Sequence, residues 1–245
     1  MKLTFLGTRG GIVASKRGHR MHTATLFEGG GARVLVDCGR TWLGELARLS
    51  PDAIIITHAH PDHADGLARG APCSVHASTE SWRHLGKFPI PASLRRVLPP
   101  RRPTRIGSLA FEAFPVIHSV IAPAVGLRIG GASATVFYVP DVLRIIDRGD
   151  ALRGIDAYIG DGASIARSIV RSSRETGESI GHASIAAQLD WCRDEGVARM
   201  IVTHCGTQIV AHDERRTAAR LRAMASERGL TIEIARDGRE LRIGR

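Results

Sequence analysis

A mixed α/β fold is what this sequence predicts, and three observations carry it. Short apolar runs are bounded by Gly-rich turns, segments of helical period stand between them, and Ala53-Ile54-Ile55-Ile56-Thr57 is a continuous β-branched run typical of a buried strand. The opening third reads as strands over residues 3–6, 23–28 and 33–37, with a hairpin at Gly29-Gly30-Gly31. Between the first two lies a basic, Gly-rich loop from 7 to 22, too long for a tight turn and therefore a candidate rim of a site. A helix is expected over 42–49 and another over 79–86, followed by a Pro- and Arg-rich loop over 95–105. Strands follow over 110–117, 126–129, 134–139 and 157–160, then an amphipathic helix over 184–195, a strand over 199–203, a last helix over 213–227 and two short strands. No internal repeat or linker interrupts the alternation, so residues 1–245 are expected to form a single domain.

The chain has 245 residues, 43% of them hydrophobic, enough for a sizeable core. No run approaches the length of a membrane span, and the first residues read as a strand rather than a signal peptide, which points to the cytoplasm and away from a membrane. Cys38, Cys73, Cys192 and Cys205 stand singly, without the spacing of a disulfide framework or a cysteine zinc cage. The net charge of +10 favours an anionic substrate or partner, nucleic acid among them. Of the 34 basic residues only Lys2, Lys16 and Lys87 are lysines, an Arg skew that biased codon usage also produces.

The chemistry concentrates in His58-Ala59-His60-Pro61-Asp62-His63, directly after the buried strand. A two-metal hydrolytic centre needs neutral imidazoles and carboxylates converging on ions roughly 3.5–4 Å apart. His58 and His60, two apart in extended backbone, can hold one ion; Asp62 and His63, after Pro61 turns the chain, can hold the other. Four ligands do not complete two sites, so more are required at later strand ends. His118, Asp141 and His204 each follow an apolar β-run, at Phe114-Pro115-Val116-Ile117, Phe137-Tyr138-Val139-Pro140 and Met200-Ile201-Val202-Thr203.

This ordered series resembles the metallo-β-lactamase superfamily over nearly the whole chain. The resemblance implies a four-layer αβ/βα sandwich with the site at one edge of two facing sheets. It also implies that His58, His60 and His118 bind the first metal, that Asp62, His63 and His204 bind the second, and that Asp141 bridges them. Two divalent ions are expected, Zn²⁺ first, with Mn²⁺ or Fe²⁺ served by the same ligand atoms. Superfamily members of this size often dimerise, so a homodimer is a further expectation.

Gly181-His182-Ala183-Ser184 stands ahead of the helix feeding the last ligand strand and resembles the extra histidine of ribonuclease Z and PhnP-like phosphodiesterases. Phosphodiester hydrolysis also needs a proton for the leaving alkoxide, which makes His182 the candidate general acid; the alternative is a helix-start histidine that only packs. Asp161 occupies a position similar to the carboxylate paired with that histidine in ribonuclease Z, and Asp156 competes with it. Asp62, His182 and Asp161 are thus the candidate catalytic set. Arg167, Arg171 and Arg174 have near-helical spacing between Asp161 and His182, and read either as phosphate clamps or as the solvated face of a helix. Arg95, Arg96, Arg101, Arg102 and Arg105 read as a nucleic-acid exosite or a solvated loop, and His19 and His22 as residues that can line the pocket.

Ribonuclease Z commonly carries a long Gly/Pro-rich arm between the third histidine motif and the bridging Asp, whereas only 22 residues separate His118 from Asp141 here. The resemblance therefore favours a small cyclic or nucleotide phosphodiester, or RNA, over precursor tRNA. The PhnP-like spacing matches better, although the Cys-rich zinc site of PhnP has no counterpart. Two other functions remain open: a lactonase or weak β-lactamase acting on cyclic esters or amides, and a metal-stabilised nucleic-acid-binding protein without turnover.

Overall fold

The computed structural model describes residues 1–173 and 176–244. The strands are β1 (Lys2–Gly7), β2 (Ala24–Gly29), β3 (Ala32–Val36), β4 (Ala53–Ile56), β5 (Ser74–Ala77), β6 (Arg95–Val97), β7 (Thr104–Ile106), β8 (Leu109–Ile117), β9 (Ala124–Gly130) and β10 (Thr135–Tyr138). They continue as β11 (Arg144–Ile145), β12 (Ala157–Asp161), β13 (Ile169–Ser172), β14 (Ser179–His182), β15 (Arg199–Thr203), β16 (Thr231–Ile234) and β17 (Arg239–Arg242). The helices are α1 (Leu46–Leu49), α2 (Pro61–Ala64), α3 (Thr79–Leu85), α4 (Arg148–Leu152), α5 (Ile185–Asp194), α6 (Thr207–Val210) and α7 (Glu214–Ser226).

Among the described residues one sheet runs β17-β1-β2-β3-β4-β5-β6 and the other β11-β8-β9-β10-β12-β15-β16, with β7 pairing with the first residues of β8. The alternating direction of side chains along a strand builds the layers. Ile55 of β4 points between the sheets with Phe5, Phe27, Phe111, Val136 and Tyr138, whereas Ile54 and Ile56 point outward against Trp42, Leu46 and Leu67. On the second sheet Phe137, Tyr158 and Met200 face outward and are covered by Leu189 and Cys192 of α5 and Leu221 of α7. Helix, sheet, sheet and helix are thus stacked in four layers.

Strand direction decides where the strand ends gather. Strands β3, β4 and β5 are parallel, as are β10, β12, β15 and β16, so their C-terminal ends gather at one edge of each sheet. A backbone bond from Val125 N to Thr57 O, 3.1 Å, ties the sheets together beside the end of β4.

Three local expectations are corrected. The helix over 42–49 breaks at Gly44, whose φ of 86° is left-handed, so only a 3₁₀ turn over Arg40–Trp42 and the short α1 remain. The loop over 95–105 contains β6 and β7, because exposed arginines on edge strands keep a backbone ladder while their side chains stay in water. Near-helical spacing at Arg167 and Arg171 does not make a helix: Arg171 lies in β13, which pairs with β14 as a hairpin. Arg174 falls outside the described residues.

Candidate active site

His58 follows β4, His118 follows β8, Asp141 follows β10, Asp161 ends β12, His182 ends β14 and His204 follows β15. His60 caps α2, whose single turn places Asp62 and His63 behind it. The fold brings the seven predicted ligands together. His58, His60, His118 and Asp141 offer atoms all within 4.8 Å of one another, and so do Asp62, His63 and His204. Asp141 Oδ2 stands between the two sets, 3.2 Å from His58 Nε2 and 2.7 Å from His63 Nε2. His58 Nε2 and His60 Nδ1 are 3.0 Å apart, and His118 Nε2 is 3.4 Å from His60 Nδ1. Ligands of one tetrahedral ion with bonds near 2.05 Å lie roughly 3.3 Å apart.

Hydrogen bonding on the far side of two of the rings tests whether these residues fit divalent ions. His118 Nδ1 donates to Gly181 O at 3.0 Å and His63 Nδ1 donates to Asp37 Oδ2 at 2.9 Å. A carbonyl and a carboxylate only accept, so in its neutral, metal-binding form each of these two rings turns an Nε2 lone pair inward. The lone pair of His63 then faces the Asp141 carboxylate, an arrangement that needs positive charge between them. His63 Nε2, Asp141 Oδ1 and His204 Nδ1 are buried without a hydrogen-bond partner, although each has close polar neighbours. Gly10 and Gly11 complete the cradle: a Cβ at Gly10 would lie 2.9 Å from the His204 ring, and one at Gly11 would lie 3.0 Å from Asp62 Oδ2. The donor set, its orientation and its orphaned atoms all fit a pair of cations.

The electrostatics divide accordingly. Burial, reinforced by neighbouring imidazoles, pushes His58 well below the ordinary histidine range and His60 to about 4, and lowers His118, leaving them in the neutral form that binds metal. Burial acts the same way on His63 and His204, but the carboxylates overcome it: Asp62, Asp37 and Asp141 hold His63 well above its usual value, and Asp141 leads in raising His204 to about 9. Burial also opposes ionisation of Asp62 and Asp141, yet His63 and His204 respectively hold these carboxyls below the normal range.

His182 meets Asp161 with Nδ1 2.7 Å from Oδ2, and the same nitrogen is 3.2 Å from Asp141 Oδ1. Burial disfavours its charged form, but Asp161 and then Asp141 raise it to about 11. Asp156 lies elsewhere, accepting from Thr135 N at 2.7 Å as a turn residue. Asp161 is itself clamped: Oδ2 accepts from Val142 N at 3.1 Å and Oδ1 from Ala163 N at 2.8 Å.

Two residues of the site were not anticipated from sequence. Asp37, at φ 61°, turns a fully buried carboxylate onto Thr57 N at 2.8 Å, the Thr57 hydroxyl and His63. Its signal was a carboxylate at the end of the apolar strand Val34-Leu35-Val36. Gln188 of α5 accepts from Asp161 N at 2.9 Å and donates to Asp161 O at 2.8 Å and Ala183 O at 3.1 Å, framing both members of the His182 pair. Its signal was a polar residue on the buried stripe formed by Ile185, Leu189 and Cys192.

Both positions give testable outcomes. Asp37→Ala is expected to weaken metal binding about 10- to 100-fold by freeing the His63 ring, read by competition with a chelating dye. Gln188→Leu leaves buried backbone groups of Asp161 and Ala183 unpaired and is expected to cost about 2–4 kcal/mol in urea denaturation.

A cavity of about 570 Å³ opens over the site, walled by His60, Asp62, His118, His182, His204 and Arg171. Arg167 lies outside it, in an adjoining groove. His19 and His22 do not line the cavity: His19 is buried with Nδ1 2.8 Å from the Thr8 hydroxyl, and His22 Nδ1 accepts from Thr41 N. Arg101 is held by Asp147 at 2.5 Å and Asp150 at 2.8 Å, with its guanidinium over the Phe114 ring, so it is not a free exosite cation.

Two facing sheets with His/Asp ligand sets at their shared strand ends define a metallo-hydrolase. The chain belongs to the metallo-β-lactamase superfamily: the family model for the beta-lactamase superfamily domain matches residues 32–205. Ribonuclease Z of Methanopyrus kandleri is 26% identical to it over 285 residues, covering 99% of this chain and 98% of the relative. Ribonuclease Z of Bradyrhizobium diazoefficiens is 40% identical over 70 residues, a match covering 26% of this chain and only 22% of the relative's length. A crystal structure of a diphosphatase from the PhnP family shares the fold with a TM-score of 0.70 at 21% identity, over 98% of this chain and 96% of that one. No helix among the described residues is long and apolar enough to cross a membrane.

Proposed function

We propose that this metallo-hydrolase cleaves phosphodiesters, with His182 as general acid and Asp161 as the carboxylate that positions it. The observation that carries the reading is the 2.7 Å bond from His182 Nδ1 to Asp161 Oδ2 at the cavity wall, beside Asp141. Carbonyl chemistry at such a centre has no need of a second, carboxylate-held histidine facing the reacting atoms; an alkoxide leaving phosphorus does need a proton.

His58, His60 and His118 would hold one divalent ion and Asp62, His63 and His204 the other, with Asp141 shared. Bound there, the two cations supply Lewis acidity and lower the pKa of a water toward neutral. Imidazole and carboxylate donors suit Zn²⁺, and Mn²⁺ or Fe²⁺ take the same atoms. The protein's own contribution is placement and proton transfer. Asp161 accepts a hydrogen bond from the Nδ1–H of His182 and fixes the ring, leaving Nε2 to carry the proton donated to the leaving oxygen. Arg171 stands on the same face of the hairpin as Ile169, opposite Ile180, and lines the cavity, where its guanidinium can take two phosphoryl oxygens. The net charge of +10 draws an anionic substrate toward it.

Turnover of bis(p-nitrophenyl) phosphate, measured beside a lactone and nitrocefin on protein loaded with Zn²⁺ or Mn²⁺, tests the reading. Phosphodiester cleavage is expected to dominate. Turnover of the lactone or nitrocefin without phosphodiester cleavage would overturn it, and salt-sensitive RNA binding without any turnover would show a binder instead.

A further inference from the structure

Beside the site cavity lies a second groove of about 810 Å³, between the segment from Ser164 to Ile169 and the start of α7. The two spaces share Ile169 and Gln208 as common wall, so the groove continues from the site rather than opening on another face. Gln208 is pinned there, its Oε1 accepting from Ile165 N at 2.9 Å.

The groove is cationic, and its cations are uncommitted. Arg167, Arg216 and Arg220 line it and are exposed, and among the described residues none of the three makes an ion pair, unlike Arg101, Arg148, Arg193 and Arg228 elsewhere. The one carboxylate in the lining, Asp213, is engaged in capping α7, accepting from Arg216 N at 2.8 Å. Arg216 and Arg220 stand one helical turn apart on the same face, about 6 Å along the axis, and Arg167 comes from the opposite wall. Among the described residues no Phe, Tyr or Trp lines the groove and His212 supplies its one imidazole, so charge from the guanidinium groups dominates what it offers a ligand. Guanidinium forks converging from two walls, next to a centre that handles a phosphoryl group, match an anionic group of the same kind.

We propose that this groove binds a second phosphate of the substrate, remote from the scissile one, so that the preferred substrate carries at least two phosphates. The inference rests on the phosphodiesterase reading and narrows it: a diester with no further phosphate would be a poor substrate. The second phosphate belongs either to a terminal monoester on a small nucleotide or to the next link of a polynucleotide.

The test compares thymidylyl-thymidine, which has one phosphate, with the same dinucleotide phosphorylated at its 5′ or its 3′ end and with an eight-residue oligothymidylate. On the metal-loaded protein, at least one substrate with added phosphates is expected to have a kcat/KM about tenfold or more above the unphosphorylated dinucleotide, through KM. In Arg216→Glu/Arg220→Glu, checked for an unchanged thermal midpoint, that ratio is expected to fall to near one. A gain for a phosphorylated dinucleotide assigns the groove to a terminal phosphate, and a gain for the oligonucleotide alone assigns it to a chain. Cleavage of all substrates at similar kcat/KM, or a ratio that survives the double substitution, would overturn the groove while leaving the phosphodiesterase reading intact. If no diester is cleaved, that reading fails first, and fluorescence anisotropy decides the groove separately. Chelator-treated protein should then bind labelled, phosphorylated dinucleotide or octamer more tightly than the double variant does, with a steeper salt dependence; equal binding overturns the proposal.

Discussion

Replacing Asp141 with alanine is expected to reduce bound metal from two ions per chain to one or none and to lower phosphodiester turnover by at least roughly 10³-fold, because each ion contributes several kcal/mol of transition-state charge stabilisation. The size of the effect comes from position. Asp141 Oδ2 lies 3.2 Å from His58, 2.7 Å from His63 and 3.9 Å from His118, while Oδ1 lies 3.1 Å from His204. Its two carboxylate oxygens thus reach members of both ligand sets. Metal analysis after dialysis, with circular dichroism to establish folding, reads the result. A variant that retains two ions and near-normal turnover would remove Asp141 from the centre.

The second large effect is expected at His182. Its replacement by alanine should leave metal content near two per chain and lower turnover roughly 10²–10⁴-fold, the range of a lost general acid. A positional role alone would slow all diesters alike, so leaving-group dependence separates the two. The loss should be large for a dinucleotide, whose alkoxide needs a proton, and small for bis(p-nitrophenyl) phosphate, whose phenolate departs unaided. Asp161→Asn should follow the same pattern with a smaller loss, since an amide still accepts from Nδ1 but no longer carries the charge that favours the imidazolium. Equal losses on both substrates would reduce His182 to a packing residue.

Much of the candidate metal centre was legible because its signal is local. Four of the candidate ligands fall in six consecutive residues, and His118, Asp141 and His204 each follow an apolar β-run whose end a parallel or mixed sheet presents at one edge. The period-2 burial of β4, with Ile55 inward and Ile54 and Ile56 outward, was likewise implicit in a β-branched run long enough to be covered on both faces. Asp37 has no local signature because its importance depends on β3 and β4 being neighbours, which sets its carboxylate against Thr57 and His63, 20 and 26 residues away. The same holds for Gln188: on a helical wheel it is a flaw in an apolar stripe, and only the docking of α5 on β12 makes it the clamp of Asp161.

The arginines show the limit most directly. Arg167 and Arg171 are four apart, a spacing that fits one face of a helix, but a hairpin forms instead and sends them to different places, Arg171 into the site cavity and Arg167 into the adjoining groove. Arg216 and Arg220 carried no signal at all until α7 brought them opposite Arg167. The α/β class and the candidate ligands in their order along the chain can be read locally, because strand periodicity and His/Asp spacing are properties of a few adjacent residues. Which ring nitrogens turn inward, which carboxylate holds His182 and which of the many cations face the site are set by packing between distant segments. Those outcomes depend on contacts between residues far apart in the chain, and no local pattern encodes them.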